Sequence, residues 1–272
     1  MPVLALLVVG FALAAVLDRR DAGHGRADGK AATAPAEQPA VASESPRARP
    51  PGTVCDGMLQ HPAKGQPAAF APEYTKTRQV LGITIVASES VDDRALDEAE
   101  KTLQVVFAHN ELEEPLAEQG AYVIIAAAGE GVLDLPEFAC LAGQVGADFF
   151  THVCGVADRA DYPVATVNEL DLLGDRKGPC RGLNILYHEV GHLVQGWTLS
   201  PADYMDARLA YQAALDAGRY RNAYAAKNYN EYFAEATQSY FLYGEPGGGH
   251  DRRWLQRYDP EIFKLLQEIY GE

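Results

Sequence analysis

Residues 183–197 read LNILYHEVGHLVQGW, a mostly apolar stretch of helical periodicity interrupted by two histidines and a glutamate. His188 and His192 stand four apart, so a helix over Leu183–Gln195 places both imidazoles on one face, close enough to share an ion, with Glu189 beside that face. With seven histidines and 20 glutamates in 272 residues, a chance match to this spacing is expected on the order of 0.01 times in a shuffled chain. The pattern predicts a zinc site with two histidine ligands and an adjacent general base. A catalytic zinc needs a third protein ligand and keeps its fourth position for water.

The chain offers that ligand downstream. One continuation of the motif would need Gly at 195 and His at 198, and Gln195 and Thr198 stand there instead. Residues 224–241, YAAKNYNEYFAEATQSYF, predict a helix over 230–243 with Glu231 and Glu235 one turn apart among Tyr232, Phe233, Ala234 and Ala236. Carboxylates seldom sit amid apolar helix residues unless something pairs with them. One of the two can bind the metal while the other accepts the N–H of a ligating histidine. The spacing alone leaves open which does which, and it leaves Tyr224 equally readable as a core tyrosine.

HEVGH, the Glu-Tyr-Phe-Ala-Glu-Ala run and a tyrosine seven residues before its first glutamate resemble the gluzincin metallopeptidases, in particular the anthrax lethal-factor-like catalytic domains. Residues 186–241 with the closing RYDPEIFKLLQEIY are also similar to a group of uncharacterised exported HExxH proteins. The likeness covers about a third of the chain. It implies a zincin-like α+β domain that hydrolyses peptide bonds. By this resemblance His188, His192 and Glu231 bind one zinc, Glu235 orients a ligating histidine, Glu189 is the general base and Tyr224 stabilises the oxyanion. Such a site activates a water with a pKa near 7, and the glutamate carries its proton to the leaving amine.

Working outward toward the N-terminus, Gln79–Ala87 and Ala121–Ala128 are rich in β-branched residues and predict strands. Between them Leu96, Ala99, Leu103, Val106 and Phe107 define a helix face, with Ser90 and Asp93 suited to a capping box. Shorter strands are expected near His152–Val156 and Val164–Val167. The strand ending at Asn168, just before Glu169 and Asp171, is a candidate edge for a peptide substrate, so Pro at Val167 or Asn168 is expected to raise KM. Further helices are expected at Pro201–Ala217, capped by Ser200, and at Pro260–Tyr270, capped by Asp259. Gly191 suits close packing of the motif helix against the sheet. The expected architecture is therefore α+β, an N-terminal strand layer packed on C-terminal metal-binding helices.

The remaining sequence bears on location and partners. Residues 2–17 form an apolar run of signal-peptide length, with an uncleaved membrane tether as the other reading. Residues 18–54 are an Ala/Pro/Gly-rich linker without aromatic residues, Leu or Ile, which leaves 55–272 as the catalytic domain. Cys55, Cys140, Cys154 and Cys180 lack any CxxC pair and suggest two disulfides in an exported protein. His24, His61, His109 and His250 read as solvated or terminal histidines, and His152 as a core residue. The net charge of −15 argues against a nucleic-acid partner. It lies mainly in residues 55–180, with 8 basic and 21 acidic side chains. A peptide or protein substrate is expected. A structural metal in a binding or wall-associated protein, and hydrolysis of a non-peptide bond, are the alternatives.

Overall fold

The structure, a computed structural model, describes residues 70–139, 153–157, 163–242 and 250–271. The expectations for residues 1–54, and those for Cys55, His61, Cys140 and His152, lie outside the described residues. Among the described residues no helix is long and apolar enough to cross a membrane.

The strand expected over Gln79–Ala87 is the end of one strand and the whole of the next. β1 (Lys76–Val80) pairs antiparallel with β2 (Ile83–Ala87). Leu81 and Gly82 turn between them with φ of 51° and 80°, the pair of left-handed residues that a two-residue hairpin with the right twist requires. β3 (Tyr122–Ala126) pairs parallel with β2, and β5 (Val164–Asn168) parallel with β3. Among the described residues β4 (Gly155–Val156) runs antiparallel to β5 at the margin, giving the order β1-β2-β3-β5-β4. β5 is thus flanked on both sides. The candidate peptide edge is β4, and a proline at Val167 would disrupt an internal strand instead of a substrate contact.

Period-two alternation divides the sheet between two cores. Ile83, Ile85, Ala87, Val123, Ile125, Ala165 and Val167 face the helices; Val86, Tyr122, Ile124, Ala126 and Val164 pack on the other side against Tyr74, Leu135 and Phe138. On the helical side lies α1 (Asp93–Val106), burying Ala95, Leu96, Ala99, Leu103 and Val106. Its cap is Asp92, which accepts from the Arg94 amide; Ser90 bonds to Ser88 instead. α2 (Glu113–Glu118) and α3 (Glu169–Leu172) are short.

The C-terminal helices fall close to their expected places. α4 (Leu186–Trp197) carries the HEVGH motif, and α5 (Pro201–Asp216) is capped by Ser200, which accepts from the Asp203 amide. α6 (Tyr229–Phe241) is capped by Asn228, which accepts from the Glu231 amide. α7 (Arg252–Tyr258) and α8 (Pro260–Tyr270) close the bundle. Asp259, at the start of α8, is fully buried and joins two other elements: it accepts from the Tyr232 hydroxyl at 2.8 Å and from Arg219 at 3.1 Å.

Gly191 meets a helix, where the sheet had been expected. A Cβ there would stand 3.0 Å from Ala234 Cα and 3.0 Å from Thr237 Cβ on α6, so the glycine sets the approach of α4 and α6. Gly191→Ala would gain about 1 kcal/mol of helix propensity. The overpacking is expected to outweigh it by about 1–2 kcal/mol, lowering Tm by about 2–8 °C and weakening zinc binding as the helices part. Thermal denaturation and a zinc titration check both effects.

Candidate metal centre

The crossing of α4 and α6 converges three side chains. His188, His192 and Glu231 are buried, and their ligand atoms lie within 4.8 Å of one another. The separations are 3.1 Å between the two Nε2 atoms, 3.3 Å from His188 Nε2 to Glu231 Oε2 and 3.5 Å from His192 Nε2 to the same oxygen. Ligands at about 2.0–2.1 Å from a tetrahedral zinc stand about 3.3–3.4 Å apart. The residues therefore fit the ion that the sequence implies. Among the described residues the group holds three ligands and no fourth, the composition of a site with an open position.

Local sequence explains the convergence. The i, i+4 spacing brings the two imidazole rings to a centroid distance of 4.8 Å. Glu231 sits in the first turn of α6, fixed by the Asn228 cap. One turn on, Glu235 reaches His188 from the other side, with Oε1 at 3.3 Å from Nδ1. With a metal bound, a hydrogen bond there would keep the proton on Nδ1 and leave the Nε2 lone pair free to ligate. Of the two glutamates, Glu231 belongs to the converging group of three and Glu235 stands against the far nitrogen of His188.

Electrostatics follow the same arrangement. Burial disfavours a charge on His188, but the carboxylates of Glu231 and Glu235 outweigh it and raise the imidazole to about 10. Burial likewise disfavours the Glu231 charge, and the two imidazoles reverse this, holding its carboxyl far below the ordinary range. In metal-free protein, His188 then adds stability that is complete below pH 6.5 and is lost as pH rises toward about 10. Glu231 adds stability that is present above pH 4.5 and is lost as pH falls below it. Tm of chelator-stripped protein is expected to peak between pH 4.5 and 6.5. Zinc displaces the imidazole proton, so the alkaline decline should disappear on loading. A stripped protein whose Tm stays flat from pH 6.5 to 9 would contradict this pairing.

Glu189 is fully buried on α4. Its carboxylate borders β4, since a Cβ on Gly155 would stand 3.0 Å from Glu189 Oε1. Tyr224 opens a single 3₁₀ turn, Tyr224–Ala226, which is tied down by the Tyr211 hydroxyl donating to Ala226 O at 2.9 Å. Its ring centroid is 6.5 Å from that of His188. Burial first, then the carboxylates of Glu231, Glu189 and Glu235, push the Tyr224 phenol well above its ordinary range. All six predicted site residues thus meet at one place.

Sequence reasoning missed other parts of the surroundings. The strand expected near His152–Val156 is present as β4, Gly155–Val156, but its place beside Glu189 had no signal in the sequence. Glu169 and Asp171 are buried acids that bind backbone amides: Glu169 accepts from Asp92 and Ala128, Asp171 from Cys180 and Gly182. Their signal was the one used for Glu231, acids within an apolar run. A disulfide joins Cys154 to Cys180. His250 is exposed and stacks on Trp254, consistent with a solvated histidine.

The fold is similar to that of the Pro-Pro endopeptidase PPEP-2 from Paenibacillus alvei, with a TM-score of 0.52 and 17% identity over 68% of this chain and 96% of that one. The likeness is one of fold, and it agrees with the α+β zincin-like architecture. No family model and no curated protein matches the sequence.

Proposed function

We propose that the protein is an exported zinc-dependent endopeptidase of the gluzincin type, akin to the lethal-factor-like catalytic domains. The observation that carries this reading is the buried triangle of His188, His192 and Glu231, sized for zinc, with Glu189 alongside. A structural zinc would be closed by a fourth ligand and would have no use for a buried acid next to the site. The similarity to a Pro-Pro endopeptidase favours a peptide substrate. The disulfide suits a protein that works outside the cell. In this reading residues 1–17 direct export or anchor the chain, 18–54 form a tether and 55–272 the catalytic domain.

Zinc held by the three residues supplies Lewis acidity toward a carbonyl oxygen and lowers the pKa of a water. The peptide lies along the outer side of β4, adding a strand beside Gly155. Glu189 takes the proton from the attacking water and delivers it to the leaving nitrogen. Glu235 holds the Nδ1 proton of His188 and so fixes the ring. Tyr224 donates its O–H to the oxyanion, an interaction that gains strength only as charge develops. Tyr224→Phe is expected to lower kcat about 10²-fold with KM little changed; a full-rate variant would assign the tyrosine to packing.

The test of the whole reading is a digest of a proteome-derived peptide library, enriched in Pro-Pro sequences, with cleavage sites mapped by mass spectrometry. One zinc per chain, cleavage abolished by a chelator and restored by zinc, is the expected result. Stoichiometric zinc without cleavage would support a structural metal instead.

A further inference from the structure

We infer that the Cys154–Cys180 disulfide, anchored by Asp171, is a clamp that positions the edge strand β4 beside Glu189. The proposal rests on the peptidase reading only for its effect on substrate.

Among the described residues β4 spans two residues and meets β5 through Gly155↔Val167 and Val156↔Thr166. So short an edge strand frays unless something else fixes it. Its seat has no slack: a Cβ on Gly155 would stand 2.3 Å from Thr166 O, 2.6 Å from Ile185 Cδ1 and 3.0 Å from Glu189 Oε1. A small outward shift would both displace the peptide-facing edge and open the wall against the general base.

The restraint enters at the neighbouring residue. Cys154 is buried and bonded to Cys180, which begins the segment that runs into α4. Cys180 is itself held. Asp171, with no exposed surface, accepts from the Cys180 amide at 2.9 Å and the Gly182 amide at 2.8 Å. Between those amides Arg181 has φ of 58°, a left-handed conformation that an L side chain adopts at a cost. Gly178 presses on the same carboxylate, since a Cβ there would stand 2.3 Å from Asp171 Oδ1. A buried carboxylate satisfied by backbone amides costs desolvation that packing alone would avoid, and burial raises its pKa accordingly. Asp171 lies within 4.8 Å of both sulfur atoms. The series Asp171, Cys180, Cys154, Gly155 therefore leads without a gap from α3 to the residue beside Glu189. Asp171 and the cysteines are positioning residues; none of them is assigned a contact with substrate.

The test compares the full chain with the double variant Cys154→Ala, Cys180→Ala and with Asp171→Asn, which keeps the disulfide should the first not fold. Hydrogen exchange is read at residues 153–157 against 122–126, together with zinc content and with KM and kcat on a cleaved peptide of about eight residues. The expected result is exchange about tenfold faster at β4 with β3 unchanged, one zinc retained, KM up about tenfold and kcat within about threefold. An equal rise in exchange at both strands, no rise at β4, or a loss of kcat at constant KM would overturn the clamp. If the wild-type chain cleaves no peptide, the peptidase reading fails, and the exchange contrast still decides the clamp.

Discussion

Glu189→Gln is expected to keep one zinc per chain and to lower kcat by about 10²–10⁴-fold, the range that a positioned general base supplies. The substitution preserves volume and shape and removes only the ability to accept a proton. Glu189 is outside the group of three whose ligand atoms converge, so metal content should not change. It is fully buried against β4, where few waters compete to replace it as a proton acceptor. The neutral amide also relieves one of the carboxylates crowded at this site, so the variant should melt within a few degrees of wild type or slightly above it. KM should change little, because the group acts on the proton that moves in the transition state. Zinc analysis, melting and steady-state kinetics on one peptide distinguish this outcome from a folding defect. A variant retaining activity within about tenfold of wild type would remove Glu189 from the chemistry.

The parts of this site legible in the sequence are those fixed by helical periodicity. HEVGH and the Glu231/Glu235 pair each place two groups on one helix face by spacing alone, and the cap Ser200 fixes where α5 begins. The way α4 and α6 meet was not legible, because it depends on Gly191 lying against Ala234 and Thr237, residues more than 40 positions away. Strand boundaries were harder for a related reason. Gln79–Ala87 is mostly apolar and β-branched, so nothing in its pattern separates β1 from β2 except Gly82, and a leucine in a left-handed turn position is unusual. The identity of the edge strand is a long-range property. Val164–Val167 reads as a strand, but only its pairing with both β3 and β4 makes it internal. Buried acids show the same limit: Asp171 and Glu169 stand in an apolar run as Glu231 does, but the backbone amides they bind are distant in sequence or set by a turn, and no spacing announces them.

Glu231→Ala is expected to reduce zinc affinity about 10³-fold or more, and Glu235→Ala by about 10–100-fold. The difference follows from where each carboxylate stands. Glu231 Oε2 faces both Nε2 atoms, at 3.3 and 3.5 Å, so its removal deletes one of three ligands and takes from both imidazoles the carboxylate they share. Glu235 faces only the far nitrogen of His188, at 3.3 Å, and its side chain is 30% exposed, so water can take over part of its role. Its loss frees the ring to rotate and lowers its basicity, while leaving all three ligands present. Glu231→Gln serves as the control for cavity effects, since it restores volume without charge and should remain close to Glu231→Ala in affinity. Competition against a chromophoric chelator at pH 7.5 measures all three variants on one scale, with melting curves to verify that each is folded. A Glu235 variant that loses more zinc than the Glu231 variant would exchange the two roles and move the metal one turn along α6.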